Sequence, residues 1–337
     1  MYDYVVFIGR FQPFHAGHQE VLEKAKKLGK RVIVLVGSSF QPRTIKNPWS
    51  FDERRAMITA SFPDAIICPL RDVVYNDQHW AKSVQALVGE AVLKHSGWTD
   101  KPPSTALIGH SKDESSYYLQ MFPQWELIEH EMNESIDATK VRELYFSGES
   151  LKFLEAAVPP TTLTILDIFK KTSYYNSLKE EFEFIKEYRR QWQGTPYPVQ
   201  FLTVDAVVVQ SGHVLLIKRR GFPGRGQLAL PGGFVGINER CEEAALRELE
   251  EETKIKVPSA VLKGSIKAQK LFDAPNRSLR GRTVTEAFLI ELKAGALPKV
   301  KGSDDAESAK WIPLNDLREE EMYEDHYHII NNLLGLI

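Results

Sequence analysis

At 337 residues and 43% hydrophobic content, the chain is long enough for two ordinary domains with a core each. Forty-three Lys and Arg against 45 Asp and Glu leave a net charge of −2, so no global basic field draws nucleic acid nonspecifically and anion recognition falls to local sites. The two cysteines, Cys68 and Cys241, lie far apart without metal-type spacing, which fits a reducing compartment. The apolar runs YVVFIG and RVIVLVG are strand-length, far short of the roughly 20 residues of a membrane span. A strand pattern begins almost at once, so no signal peptide is expected, and the chain reads as a soluble cytoplasmic protein with no nucleic-acid or membrane partner.

In chain order, the first half alternates short β-branched runs with helical patterns. These are Tyr4–Ile8, a helix from about Gly17 to Leu28, Arg31–Val36, a helix from about Asp52 to Ser61, Ile66–Pro69, a helix around Trp80–Lys94, and Thr105–Ile108. That rhythm predicts a parallel, doubly wound sheet with helices on both faces, an α/β Rossmann-like domain over residues 1–165. A charged, aromatic helical stretch between about Leu163 and Gln193, then the breakers GTPYP, predicts a helical linker over 166–198. Beyond it, Thr203–Val209, Val214–Lys218, Val284–Leu292 and AKWIPL surround one strong helix, which predicts an α+β sandwich over 199–337.

The first strand runs into GRFQPFHAGH, Gly9 to His18, and then a helix. A glycine-containing turn between a strand and a helix N-terminus is where α/β sheets hold phosphates, because unpaired N–H groups and the helix dipole favour anions there. Gly9 permits the tight turn, and His15 and His18, three residues apart, can donate to phosphate oxygens. Isolated loop histidines are ordinarily structural; the strand, Gly-Arg, Pro and Gly17 around these two favour function.

GRFQPFHAGH resembles the signature of the nucleotidyltransferase superfamily. KNPWSFDER, YNDQHW and IDATKVR resemble segments of archaeal-type nicotinamide mononucleotide (NMN) adenylyltransferases, and together the matches cover most of residues 1–150. The resemblance implies ATP as substrate, with His15, His18 and Arg10 at its phosphates and Arg142 reaching the triphosphate. Lys46 stands where relatives carry arginine, a point charge in place of a bidentate fork. Thr139 falls near the N-terminus of another helix. Asp137, where relatives often have Ser, would repel a polyphosphate and is expected to cap that helix. Asn76 and Trp80 are the candidates for the nicotinamide carboxamide and ring, with Asp77 the alternative to Asn76 and a core position the alternative for Trp80. Transfer between phosphates needs positioning and charge stabilisation, and no nucleophilic side chain.

The second constellation is GFVGINERCEEAALRELEEETKI. Glu248, Glu251 and Glu252 stand at i, i+3 and i+4, three carboxylates on one helical face, with Ala245 and Leu249 as the packing seam. Like charges at that spacing destabilise a bare helix by a few tenths of a kcal/mol per pair, and a divalent cation removes the repulsion. Hard oxygen ligands select Mg²⁺ or Mn²⁺. A Glu-rich surface helix is the bland alternative, yet the spacing matches the Nudix box at every defining position but one. The resemblance implies Glu248, Glu251 and Glu252 as metal ligands with the carbonyl of Gly232, Glu251 and Glu252 also serving catalysis, Arg247 orienting a carboxylate and Glu239 in support. Glu250 is expected to be solvated. Lys254 stands where the box has Gly, so an altered cap and an intact metal site are expected.

FDAPNRSLRGRTVTEAF is similar to a segment of Nudix ADP-ribose pyrophosphatases and of ADP-ribose-binding regulators. Arg277, Arg280 and Arg282 therefore offer charge for a pyrophosphate or hold a turn, with Arg277 and Arg282 taken as ligand contacts. Asp304, Asp305, Glu307 and Glu286 are rival acids for activating water. Both halves resemble the fused bifunctional NMN adenylyltransferase/Nudix hydrolases, which implies ATP, NMN, NAD and ADP-ribose as small-molecule partners. Two alternatives stay open: a Nudix half that senses ADP-ribose without hydrolysis, and a first half acting on phosphopantetheine or another mononucleotide. Assembly into a homo-oligomer is left open.

Overall fold

The structure, a computed structural model, describes residues 1–96, 101–110, 114–130 (backbone only at 114–116) and 136–336, and divides into two compact units, Met1–Glu180 and Glu181–Ile337.

The first unit follows the alternating pattern: β1 (Tyr2–Gly9), α1 (Ala16–Leu28), β2 (Gly29–Val36), α2 (Phe51–Ser61), β3 (Ile66–Pro69), α3 (Asp77–Ser96), β4 (Thr105–Gly109), β5 (Glu126–Glu129), α4 (Ala138–Phe146), α5 (Pro160–Lys170) and α6 (Ser173–Arg190), within which the division between units falls. Five parallel strands lie in the order β3-β2-β1-β4-β5. On β1, Tyr4, Val6 and Ile8 share a core with Ile33, Leu35, Leu107 and the Ala81, Val84 and Val88 stripe of α3. Val5 and Phe7, pointing the opposite way, are buried too, so both faces are covered, as parallel sheets require. β1 sits between β2 and β4, so the chain reverses direction of travel across the sheet there. The crevice outside the carboxyl ends of β1 and β4 is the place such sheets bind ligands.

Local chemistry sets the helix starts. Ser50 caps α2 by accepting from Glu53 N, while the Glu53 carboxylate accepts from Ser50 N at 2.7 Å, which starts the helix at Phe51. The charged stretch expected as one helix is two: α5 stops at Lys170, and Thr172 Oγ1 accepts from Tyr175 N as α6 begins. Strand β5, a short edge strand with Leu127 and Ile128 between two glutamates, was not anticipated.

The second unit contains β6 (Gln200–Gln210), β7 (His213–Arg219), β8 (Leu228–Ala229), β9 (Gly232–Phe234), α7 (Cys241–Thr253), α8 (Ser259–Gly264), β10 (Ile266–Phe272), β11 (Arg282–Glu291), β12 (Ala306–Pro313) and α9 (His326–Leu333). The sheet order is β10-β11-β6-β7-β12, with β8 on β7 and β9 on β6. β6 and β11 run parallel, while the other paired strands are antiparallel. α7 buries Ala244, Ala245 and Leu249 against sheet residues including Val204, Val208 and Ile290. Strand β10 and helices α8 and α9 go beyond the expected elements. β10 escapes periodicity because most of its side chains are exposed.

Candidate active sites

At the carboxyl end of β1, Gly9 leaves no room for a side chain: a Cβ there would meet the Phe11 ring at 2.9 Å. The glycine thus lets the turn fold its own aromatic back, and Phe11 holds φ +53 to do so. His15 and His18 then cap α1 reciprocally. His18 N donates to His15 Nδ1 and His15 N donates to His18 Nδ1, both at 3.3 Å. With Nδ1 the acceptor in each ring, the proton is assigned to Nε2 from the hydrogen-bond network. The rings stack at 3.6 Å, and the His18 ring also stacks on Phe14 at 5.9 Å. Burial, then the charge of His15, pushes the His18 imidazole well below its ordinary range, so it stays a neutral donor at pH 7.

Arg142, on α4, reaches back to this turn. Its Nη1 donates to Gln12 O at 2.7 Å and its Nη2 to Thr139 Oγ1 at 3.2 Å. Burial, then the charge of Arg10, brings its pKa down to about 10. Asp137 caps α4, its carboxylate accepting from Thr139 N at 2.8 Å, which is the capping role expected of it. Gln12, which no motif singles out, pins the neighbouring loop: its amide accepts from Trp49 N at 3.1 Å and donates to Trp49 O at 3.0 Å. Lys46 is half-buried in that loop, between β2 and α2. His15, His18, Arg10, Arg142 and Thr139 thus meet at the switch point.

Asn76 and Trp80 have structural occupations. The Asn76 carbonyl accepts from His79 N at 3.0 Å and so caps α3. The Trp80 indole packs edge-on to Tyr118 at 5.7 Å and tilted on Phe122 at 6.0 Å, at the margin of the core.

In the second unit, Gly232 and Gly233 of β9 bring backbone against the box helix α7. A Cβ on Gly232 would stand 2.1 Å from Val204 O, and one on Gly233 would stand 2.4 Å from Glu248 Oε1. Gly232 N donates to Glu252 Oε2 at 2.9 Å. Arg247 organises the other carboxylates, donating to Glu239 Oε1 at 2.6 Å and Oε2 at 2.9 Å, Glu248 Oε1 at 2.8 Å and Glu251 Oε2 at 2.9 Å. Arg247, with the Gly236 N–H, holds the Glu239 carboxyl down to about 2.

Among the described residues, no three His, Cys, Asp or Glu form a ready-made metal cage as they are placed. Glu248 and Glu251 lean to Arg247 while Glu252 turns to Gly232. The donor set nevertheless fits a divalent cation. Burial raises the Glu248 pKa, with the charges of Glu251 and Asp304 adding. Burial raises Glu252 to about 8, with Glu248 and Asp305 adding. Carboxylates that mutually disfavour ionisation are hard oxygen donors waiting for positive charge. The same fields set Asp304 and Asp305 apart from their rivals, since Glu307 pairs with Lys218 at 3.2 Å and Glu286 faces Cys241.

Several expectations are corrected. Arg277, expected at a ligand, is buried and forks onto Asp325, donating at 2.9 and 2.7 Å, so its guanidinium is turned to a carboxylate of its own unit. Arg282 is turned to the β10–β11 connection, where it donates to Asp273 O. Arg280 lies over the Phe234 ring at 5.2 Å. Glu250 accepts from Ser259 Oγ instead of being merely solvated. Lys254 takes the left-handed conformation of the glycine it replaces, φ 45°, and its N–H donates to Glu250 O at 2.9 Å. The cap is therefore retained.

Known proteins align with both halves. A cytidylyltransferase-like family model matches residues 6–144 and a NUDIX domain model matches residues 199–333. The chain is 40% identical to the nicotinamide/nicotinic acid mononucleotide adenylyltransferase of Acinetobacter baylyi, over 54% of this chain and 94% of that one. It is 35% identical to the ADP-ribose pyrophosphatase of Methanocaldococcus jannaschii, over 40% of this chain and 72% of that one. End to end, it resembles the crystal structure of a bifunctional NMN adenylyltransferase/ADP ribose pyrophosphatase from Francisella tularensis complexed with AMP and a Mn ion, with TM-score 0.90 and 35% identity over 100% of this chain and 99% of that one. The two sites and these likenesses place the chain in the family of bifunctional NMN adenylyltransferase/ADP-ribose pyrophosphatases.

Proposed function

We propose that the first unit transfers AMP from ATP to NMN, giving NAD and pyrophosphate, and that the second hydrolyses ADP-ribose to AMP and ribose 5-phosphate. The observation that supports this reading is the occurrence of two such clusters in one chain. One is the His15/His18 pair with Arg10 and Arg142 at the sheet switch point. The other is the full carboxylate set around Arg247 beside Gly232 and Gly233.

For transfer, an oxygen of the mononucleotide phosphate attacks the α-phosphorus of ATP and pyrophosphate leaves. The chain's part is to hold two anions together and to stabilise the charge that builds on the phosphoryl oxygens. His15 and His18 donate from Nε2, His18 as a neutral imidazole, while Arg10, Arg142 and Lys46 supply the cations. Thr139, at the head of α4, anchors Arg142. Asn76 and Trp80 are the proposed nicotinamide contacts, Trp80 through the part of its indole that the core leaves uncovered.

For hydrolysis, Glu248, Glu251 and Glu252 with the carbonyl of Gly232 would hold Mg²⁺ or Mn²⁺, which supplies charge neutralisation at the pyrophosphate and activation of water. Arg247 keeps Glu248 and Glu251 on the side of Glu239, and Gly232 N fixes the rotamer of Glu252. Asp304 or Asp305 is the proposed acid nearest the attacking water. The two free cysteines favour a cytoplasmic setting, and no helix among the described residues is long and apolar enough to cross a membrane.

The test is product formation from ATP with NMN, nicotinic acid mononucleotide or phosphopantetheine offered separately, and from ADP-ribose with Mg²⁺ or Mn²⁺. NAD from NMN is expected; activity with phosphopantetheine alone would overturn the first assignment. Binding of ADP-ribose without AMP release under either metal would make the second unit a sensor, an outcome that its retained box carboxylates oppose.

A further inference from the structure

Arg54 sits in the first turn of α2, and its side chain is fully buried. Burying a guanidinium is costly unless its donors are met, and the usual partner is a carboxylate. Arg54 spends its donors on main-chain carbonyls: Nε donates to Ser50 O at 3.2 Å, Nη1 to Arg10 O at 2.6 Å and Gly37 O at 2.7 Å, and Nη2 to Ser38 O at 3.1 Å. Burial lowers its pKa to about 10, with Asp72 and Glu53 opposing and Arg10 adding to the fall, so it remains charged at pH 7.

Apart from Ser50 O, at the N-cap of α2, those carbonyls belong to two turns at the carboxyl ends of neighbouring strands. The Arg10 turn follows β1; the Gly37–Ser38 turn follows β2 and leads into the loop that holds Lys46. Gly37 N also donates to Gly9 O at 2.8 Å, stitching the turns together. Ser38 keeps a left-handed φ of +51, and Asp72 grips it from the other side, accepting from Ser38 N at 3.0 Å and Oγ at 2.7 Å. A planar fork reaches three carbonyls at once, which a lysine ammonium on a flexible stem does not reproduce.

We propose that Arg54 is a positioning residue for adenylyl transfer, setting the spacing between the Arg10 turn and the turn that leads to Lys46. It acts through Arg10, not on the substrate, and the inference rests on the transfer reaction proposed above.

The experiment is a double-mutant cycle in the full chain with Arg54→Lys, Arg10→Ala and both, reading kcat and KM for NAD formation together with thermal unfolding. Arg54→Lys is expected to lower kcat/KM about 100-fold, the scale of an ångström-sized misplacement, and to cost about 5-fold or less once Arg10 is already Ala. An equal loss in both backgrounds would show a role in folding alone and overturn the proposal. If Arg54→Lys does not fold, Asp72→Asn loosens the same Ser38 turn. A loss that depends on Arg10 supports the proposal, and unchanged kcat/KM overturns it. Wild-type protein assayed alongside separates the two claims, because absence of NAD formation there defeats the reaction itself.

Discussion

Glu181 carries a buried carboxylate that the second unit does not satisfy. Among the described residues, its Oε2 receives only a 3.5 Å bond from Gly224 N, and its Oε1 has no hydrogen-bond partner. Burial raises its pKa from 4.5 to about 7, the Gly224 N–H opposes the rise, and the charge of Glu324 adds to it. A folded-state pKa above the unfolded one means that the unfolded chain sheds its proton first. The stability this group contributes is complete below about pH 4.5 and is lost as pH rises to about 7. At about 1.4 kcal/mol per pKa unit, the loss is on the order of 3 kcal/mol by pH 8. Glu181→Gln keeps an acceptor for Gly224 N, adds a donor where Glu324 makes the field negative, and removes the titration. The variant should therefore be more stable than wild type at pH 8.5, by roughly 6–12 °C in the melting transition of the second unit, and nearly equal to it at pH 5. Scanning calorimetry at the two pH values, with that transition identified by its shift on adding ADP-ribose, measures this. A variant no more stable at pH 8.5, or equally stabilised at pH 5, would show that Glu181 is not a buried, ionising liability.

Three further replacements probe the second unit. Gly233→Ala puts a methyl where Glu248 Oε1 stands at 2.4 Å, so AMP release from ADP-ribose should fall about 100-fold in kcat/KM while NAD formation is unchanged. Lys254→Gly exchanges about 1 kcal/mol of left-handed strain for a similar gain in unfolded-state entropy, so urea unfolding should move by about 0.5 kcal/mol or less, whereas Lys254→Val should cost about 1–2 kcal/mol. Arg277→Gln takes the bidentate guanidinium away from the buried Asp325 carboxylate; urea unfolding should show a loss of about 3–5 kcal/mol, and a raised KM for ADP-ribose at unchanged stability would restore the ligand role.

How much of this was legible depends on whether a residue's job is written in local spacing. The strand–Gly–His-x-x-His–helix run and the i, i+3, i+4 carboxylates are local patterns, and the structure keeps each on one turn or one helical face. Asp137 was legible for the same reason, since capping is decided within a few residues, whereas Lys254 was expected to alter the cap that it in fact keeps. Long-range partners were not. Nothing in DERRAM distinguishes Arg54, buried among carbonyls of two distant turns, from Arg55, paired on the surface with Asp52. Arg277 and Arg282 share a basic segment, yet Asp325, 48 residues away, claims the first and Asp273 the second. β10 shows no clean alternation because most of its side chains are exposed, so periodicity had nothing to report.

The most direct check on a chain with two independent activities is a reciprocal assay: His18→Ala and Glu252→Gln, each measured for NAD formation from ATP and NMN and for AMP release from ADP-ribose with Mg²⁺. His18→Ala should lose the first and keep the second, and Glu252→Gln the reverse. Loss of both activities in either folded variant, or survival of AMP release in Glu252→Gln, would contradict it.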